Sequence, residues 1–279
     1  MKAPDFGKTA ADYAAHRAGF PPELFERLAE HSVGVAGQKL IDVGTGTGAL
    51  AREFARTGCE VTGLDPSQEL MDQARRLDVE AKLSVSYVRG VAEDTGLPDS
   101  SFDAAAAGVC WHWFDGNRAA REILRILAPG GRLAIVHFDW LATPGSVAAD
   151  SVDLIESLLP RTPGKSLARA AFFSVVRRLK PEWVEAEGSG VHPDRFAVLA
   201  RAGFEELKSF SFDVPVEYSH QAWRGRLRSH ALLGASKPAK LVKQVDQSLA
   251  AMLRERHPDD PFTVMHRVFV VLGRKASRS

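Results

Sequence analysis

Cysteine is nearly absent. The 279 residues hold 2, Cys59 and Cys110, in no CxxC or other metal-like spacing. That argues against a disulfide framework and a structural zinc site, and points to a reducing cytosol. Charge of one sign is lacking too: the formal net charge is +1. No overall field therefore draws the chain towards nucleic acid or an anionic membrane. No apolar run is long enough to cross a bilayer, and Met1–Asp5 opens no signal-peptide-like stretch. No internal repeat and no low-complexity tract is found. These absences leave a soluble, cytoplasmic globular protein. The 45% hydrophobic and 25% charged residues fit that class. The basic end, Arg274-Lys275-Ala276-Ser277-Arg278-Ser279, reads as a frayed terminus.

What is present is alternation. A short helix is expected over Thr9–Arg17, and a second from Glu23 to about His31 after Pro21-Pro22. The apolar run Lys39–Val43 has the shape of a strand buried on both faces. A helix carrying Leu50 and Phe54 follows, then a strand over Glu60–Leu64 and a helix from near Ser67. Further strands are expected at Leu83–Val88, Phe102–Val109 and Arg132–Phe138. The helix Arg118–Leu127 is stopped by Pro129-Gly130-Gly131. Strands alternating with helices at this spacing predict a doubly wound, mostly parallel α/β sheet.

After Trp140 the regularity breaks. Helical pieces are expected at Val152–Leu159 and Leu167–Leu179, a core helix at Pro193–Ala202 and a strand at Phe204–Val214. Residues 218–257 read as a helical insertion, and Val264–Leu272 as the closing strand. The chain reads as one domain over residues 1–279, with its core at about 35–140 and 192–275. Segments at about 1–30, 141–190 and 218–257 form a cap or lid. Two of these follow strands, where an α/β fold places its ligand crevice.

The central motif is Leu40-Ile41-Asp42-Val43-Gly44-Thr45-Gly46-Thr47-Gly48-Ala49-Leu50. A buried strand runs into a glycine-rich turn that opens a helix, so a ligand can approach the main chain closely. The same string serves as a tight turn with no ligand. Gly44, Gly46 and Ala49 also fit the dinucleotide pattern, so the turn alone does not separate a nicotinamide cofactor from S-adenosylmethionine. About twenty residues on, Asp65 closes the second strand, where a ribose-binding acid belongs. Its carboxylate suits two ribose hydroxyls; Asp65-Pro66-Ser67 equally suits a helix start, with Ser67 as the cap.

A third element follows in Val88-Arg89-Gly90-Val91-Ala92-Glu93-Asp94, then Gly96-Leu97-Pro98 ahead of Phe102-Asp103. With these three in order, residues of about 10 to 140 resemble the class I S-adenosylmethionine-dependent methyltransferases. The resemblance implies a Rossmann-like, seven-stranded sheet whose last strand is antiparallel. It implies S-adenosylmethionine as cofactor and S-adenosylhomocysteine as product. By the same resemblance, Gly44, Thr45 and Gly46 line the methionine part, Asp65 holds the ribose and Pro66 lies close to the adenine. Ala92 and Glu93 would sit at the adenine edge, and Gly108 and Val109 beneath the sulfonium; Tyr13 is placed with the cofactor. One departure stands out: many members carry Asp where this chain has Val91.

Where the fourth strand ends, Val109-Cys110-Trp111-His112-Trp113-Phe114-Asp115 lacks the Asn-Pro-Pro-Tyr-type motif of base and amide methylation. No basic aromatic patch accompanies it, which disfavours a nucleic-acid substrate. The stretch resembles a His-Trp-Phe subgroup that includes small-acid methyltransferases of the trans-aconitate type, as does the opening around Tyr13 and Arg17. The acceptor is thus expected to be a small molecule, methylated on a carboxylate or hydroxyl oxygen. A carboxylate needs a cation to hold it, and Arg17, Arg224, Arg226 and Arg228 are candidates. A hydroxyl needs a base, for which His112 and His137 are placed; His112 equally reads as a packed structural residue. Trp111 and Trp113 would wall the pocket or simply cover the sheet end; Tyr13, Trp223 and Arg226, on the lid pieces, are expected to close over the substrate, and Trp140 to line its site. Ligand spacing supports no metal. Two other readings stand beside this one: a protein that binds the cofactor without turnover, and a nicotinamide-dependent oxidoreductase.

Overall fold

In a computed structural model, residue 16 and residues 18–159, 190–230, 233 and 237–277 are described. The helix expected over Leu167–Leu179 lies outside them, as do Tyr13 and Arg17. The first described helix, α1 (Pro22–Glu30), begins on a proline and buries Leu24, Phe25 and Leu28 on one stripe.

The run expected as a strand buried on both faces is β1 (Lys39–Val43), buried at every position but Lys39. There follow α2 (Ala49–Arg56), β2 (Glu60–Asp65), α3 (Gln68–Ala81), β3 (Ser86–Arg89), β4 (Phe102–Gly108) and α4 (Gly116–Ile126). Next come β5 (Leu127–Trp140), α5 (Val147–Leu158), α6 (Asp194–Ala202), β6 (Glu205–Tyr218), α7 (His220–Arg228), α8 (Ala239–Arg256) and β7 (Phe262–Arg274). The seven strands form one sheet in the order β3-β2-β1-β4-β5-β7-β6. β1 pairs in parallel with β2 and β4, β2 with β3, and β4 with β5. The last strand, β7, runs antiparallel. Its direction shows in the contacts with β5: Gly130 bonds to Lys275 and Leu141 to Met265, so numbers fall on one strand as they rise on the other. The chain winds outward from β1 to β3, then crosses back to β4. The switch between β1 and β4 opens the crevice in which such sheets bind ligands.

One expectation is corrected. Pro129-Gly130-Gly131 does not separate helix from strand, because β5 already begins at Leu127. Leu127 pairs with Phe102 and Arg132 with Ala104, so residues 128–131 loop out as an irregularity within the pairing. Gly130 takes φ +80° there. The ammonium of Lys275 donates to the carbonyls of Leu127 (2.6 Å) and Arg125 (3.3 Å). A cation is favoured at the carbonyl end of α4.

The described residues fall into two compact units. One holds α1 to α4, β1 to β4, β5 as far as Phe138, α6, β6 to Phe212 and β7 from Val268. Its core is apolar strand against helix, with Leu40, Ile41, Phe54, Ile123 and Ile135 buried around the alanine run Ala104–Ala107 of β4. The other holds α5, α7, α8 and the remaining stretches of β6 and β7. Its own core gathers Trp223, Leu227, Val245, Leu249, Leu253 and Phe262. No helix of the described residues is long and apolar enough to cross a membrane.

Candidate functional site

The glycine turn leaves β1 between two walls. Gly44 has φ +72°, and a Cβ there would lie 2.8 Å from Cys110 Sγ and 3.0 Å from Phe114 Cζ. Only glycine fits both the backbone and the space. Gly46 differs: its φ is +56°, yet a Cβ built on it meets nothing within 4 Å. The main chain at Gly46 is thus open to a ligand. Behind the turn, the Thr45 hydroxyl donates to Asp42 Oδ2 at 2.7 Å. Complete burial pushes the Asp42 carboxyl up to about 7, against the lowering effect of Thr45 and of a backbone bond from Ala51.

Asp65 ends β2 and is stitched to this turn. Its Oδ2 accepts the Gly46 N–H and its Oδ1 the Ser67 N–H, both at 2.9 Å. Burial raises its carboxyl above the ordinary range, and those two bonds oppose the rise. The Leu64 carbonyl accepts from Gly44 N (2.7 Å) and Thr45 N (3.0 Å), which ties the two strand ends together. The cap of α3 is Ser67, whose hydroxyl accepts from Leu70 N. The helix start and the carboxylate therefore belong to different residues. Pro66 beside them is exposed.

After β3 the chain makes a small turn, with a bridge between Val91 and Asp94. Ala92 is buried and Val91 exposed. Glu93 reaches across, its Oε1 accepting the Asp115 N–H at 2.6 Å. This ties the turn to the start of α4, a role the sequence did not suggest. Farther along, Glu122 accepts from both the N–H and the hydroxyl of Thr95. The Arg125 guanidinium holds the Glu122 carboxyl down at about 2.

At the end of β4, Gly108 lies against Leu50 and Phe20. Val109 takes φ +54°, costly for a β-branched side chain, while its N–H bonds to the Val136 carbonyl at 2.8 Å. Cys110 Sγ donates to the Val43 carbonyl at 3.1 Å, which brings the end of β4 onto the glycine turn. A single 3-10 turn, Trp111–Trp113, follows. Trp111 is buried; His112 and Trp113 are half-buried, with ring centroids 4.9 Å apart. Glycine turn, Asp65, the 91–94 turn and the Val109–Phe114 stretch are thus assembled in one unit. Phe20 and Cys110 belong to the same constellation, and sequence reasoning passed them over because both carry apolar or weakly polar side chains.

His137, near the end of β5, is buried and stacks on His192, with centroids 3.6 Å apart and planes at 15°. His192, just ahead of α6, was missed because it stands far from the motifs in sequence.

The remaining expected residues among those described lie in the other unit. Trp223 was expected to close over a substrate, but it is fully buried in that unit's core. Its Nε1–H donates to Ser151 Oγ at 2.9 Å, and its ring meets Tyr218 and Trp140 edge-on. The reason is the apolar stripe of α7, which has to be covered. The Arg226 guanidinium lies 4.7 Å over the ring of Trp140. Arg224 and Arg228 both bond to Asp246.

A model of the methyltransferase domain matches residues 41–135. An uncharacterized methyltransferase of Schizosaccharomyces pombe is 31% identical over 258 residues, 91% of this chain and 90% of that one. A ubiquinone biosynthesis O-methyltransferase of Xanthomonas oryzae pv. oryzae is 33% identical over 129 residues, 46% of this chain and 54% of that one. Among solved structures, phosphoethanolamine N-methyltransferase 2 of Haemonchus contortus, in complex with S-adenosyl-L-methionine, matches with a TM-score of 0.56 at 15% identity. That match covers 98% of this chain and 57% of the other.

Proposed function

Because the chain belongs to the methyltransferase family, we propose that it moves a methyl group from S-adenosylmethionine to an oxygen of a small-molecule acceptor. The observation that carries this reading is the open main chain at Gly46, bonded directly to the Asp65 carboxylate. A cofactor with an amino-acid part and a ribose fits such a cradle. Gly44, Thr45 and Gly46 would hold the methionine part and Asp65 the ribose hydroxyls. Pro66, Ala92 and Glu93 would border the adenine, and Gly108 and Val109 the sulfur. When bound, the cofactor supplies an electrophilic methyl group. The protein's own task is to hold the acceptor in line at close range, which supplies roughly 7–11 kcal/mol in well-oriented reactions.

Support for a small acceptor comes from the Xanthomonas relative, an O-methyltransferase of ubiquinone biosynthesis. A carboxylate acceptor needs only a cation to hold it. A hydroxyl needs its proton removed, for which His112 in the turn after β4 and His137 on the neighbouring β5 are the candidates. Family membership leaves the oxidoreductase reading without support. Cofactor binding without turnover is separated from catalysis by assay.

Calorimetry with S-adenosylhomocysteine, and NADH as control, tests the proposal. Micromolar binding that Asp65→Ala abolishes, followed by methyl transfer to small acids or phenols, is the expected result. Absence of S-adenosylhomocysteine binding would overturn it. Binding with no turnover on any acceptor would leave a sensor instead of an enzyme.

A further inference from the structure

We propose that Arg52, paired with Asp78, is a positioning residue that holds the glycine turn ready for its cofactor, a use that rests on the methyl-transfer reading. Arg52 stands in the first turn of α2, and its guanidinium folds back so that Nη1 donates to the Thr47 carbonyl at 2.7 Å. The same nitrogen meets Asp78 Oδ1 of α3 at 3.2 Å. Both side chains are largely buried, at 13% and 5% exposure.

Neither charge sits there without a cost. A cation in the first turn of a helix opposes the helix dipole. Asp78 lies on the buried stripe of α3 that also carries Met71 and Ala74, where a carboxylate loses its hydration. Each charge offsets the other, and the Thr47 carbonyl completes the group. The three belong together, on α2, α3 and the turn between β1 and α2.

The turn needs such a hold. Thr47 is flanked by Gly46 and Gly48, at φ +56° and +75°. Glycine takes either sign of φ with little steric penalty, so a peptide between two glycines is free to turn over. Helix α2 starts on Gly48 with no side-chain cap. Asp65 fixes the N–H of Gly46, and Gly48 N donates to the Thr45 carbonyl at 2.9 Å. Arg52 fixes the carbonyl of the residue between them. Tyr87 of β3 closes the same side: a Cβ on Gly48 would lie 2.5 Å from the Tyr87 hydroxyl and 2.8 Å from Arg52 Nη1. The turn is thus ordered from behind, while the main chain at Gly46 stays open in front. Ordering it before a ligand arrives removes a cost that binding would otherwise carry.

Affinity and stability therefore separate. Apolar residues of similar volume replace many buried ion pairs with little loss of stability, but none can donate to the Thr47 carbonyl. The test measures S-adenosylhomocysteine affinity by calorimetry, with thermal melts, on the full-length parent and three variants. Arg52→Met strands the Asp78 carboxylate and should lower both stability and affinity. Arg52→Met combined with Asp78→Leu should regain most of the melting temperature, yet bind about tenfold more weakly than the parent. Arg52→Lys keeps a charge beside Asp78 and should fold as the parent does by circular dichroism. Its ammonium lacks the planar fork that serves two partners, so affinity should fall about fivefold. Binding as tight as the parent's in the double variant or in Arg52→Lys would reduce the pair to a structural bridge and overturn the proposal alone. A parent that binds no S-adenosylhomocysteine would overturn the cofactor reading, and this proposal with it.

Discussion

Two glycines one residue apart do different work. Gly44 is hemmed by Cys110 and Phe114, while Gly46 faces open space. Gly44→Ala should destabilise by about 2–4 kcal/mol, combining left-handed strain with the clash. Gly46→Ala should cost only about 1–2 kcal/mol in stability, yet weaken S-adenosylhomocysteine by tenfold or more. Thermal melts and calorimetry on the same two samples separate these effects. Asp42 yields a pH prediction. Folded, its carboxyl holds a proton up to about pH 7, whereas its ordinary value is 3.8. Between those values the folded protein binds more protons than the unfolded chain, so this group makes stability fall as pH rises. Asp42→Asn keeps an acceptor for Thr45 and removes that slope. The variant should match the parent near pH 4 and exceed it at pH 8, by on the order of a few kcal/mol, as read from denaturant titrations at both pH values.

At the scale of elements, the sheet order follows from strands that bury both faces and helices that cover them. The exception at Pro129–Gly131 is instructive, because a stop signal in sequence became an irregularity inside β5 once Lys275 of the closing segment paired with it. Local propensity cannot foresee a partner almost 150 residues away. Helix α7 carries a second lesson. Its tryptophan looked like a lid residue, and the element instead turns it into the core beside α8. Trp223→Ala should therefore lower stability by about 3–5 kcal/mol, seen as a lower denaturation midpoint. A substrate-closing role alone would have left that midpoint unchanged.

For the whole molecule, binding of any ligand to the folded state and folding are linked. Ligand at a hundred times its dissociation constant stabilises the binding-competent fold by about 2.7 kcal/mol. S-adenosylhomocysteine should then raise the melting temperature by roughly 5 °C, NADH should not, and Asp65→Ala should lose the shift. A melt unchanged by saturating S-adenosylhomocysteine would count against the cradle as a cofactor site.

The sequence by itself determined the strand–turn–helix framework of the first half of this protein: the buried strand, its glycine turn and the acid twenty residues on are local patterns, carried by backbone angles and side-chain spacing within short reach. The doubly wound sheet was readable for the same reason, since alternation of element types constrains topology. Only the tertiary structure decided that Glu93 bonds to Asp115, that Cys110 rests on Gly44, and that His192 meets His137. Each of those contacts joins residues with no shared periodicity. Their proximity is set by where strands end and helices begin in space, a property that composition and spacing along the chain do not encode.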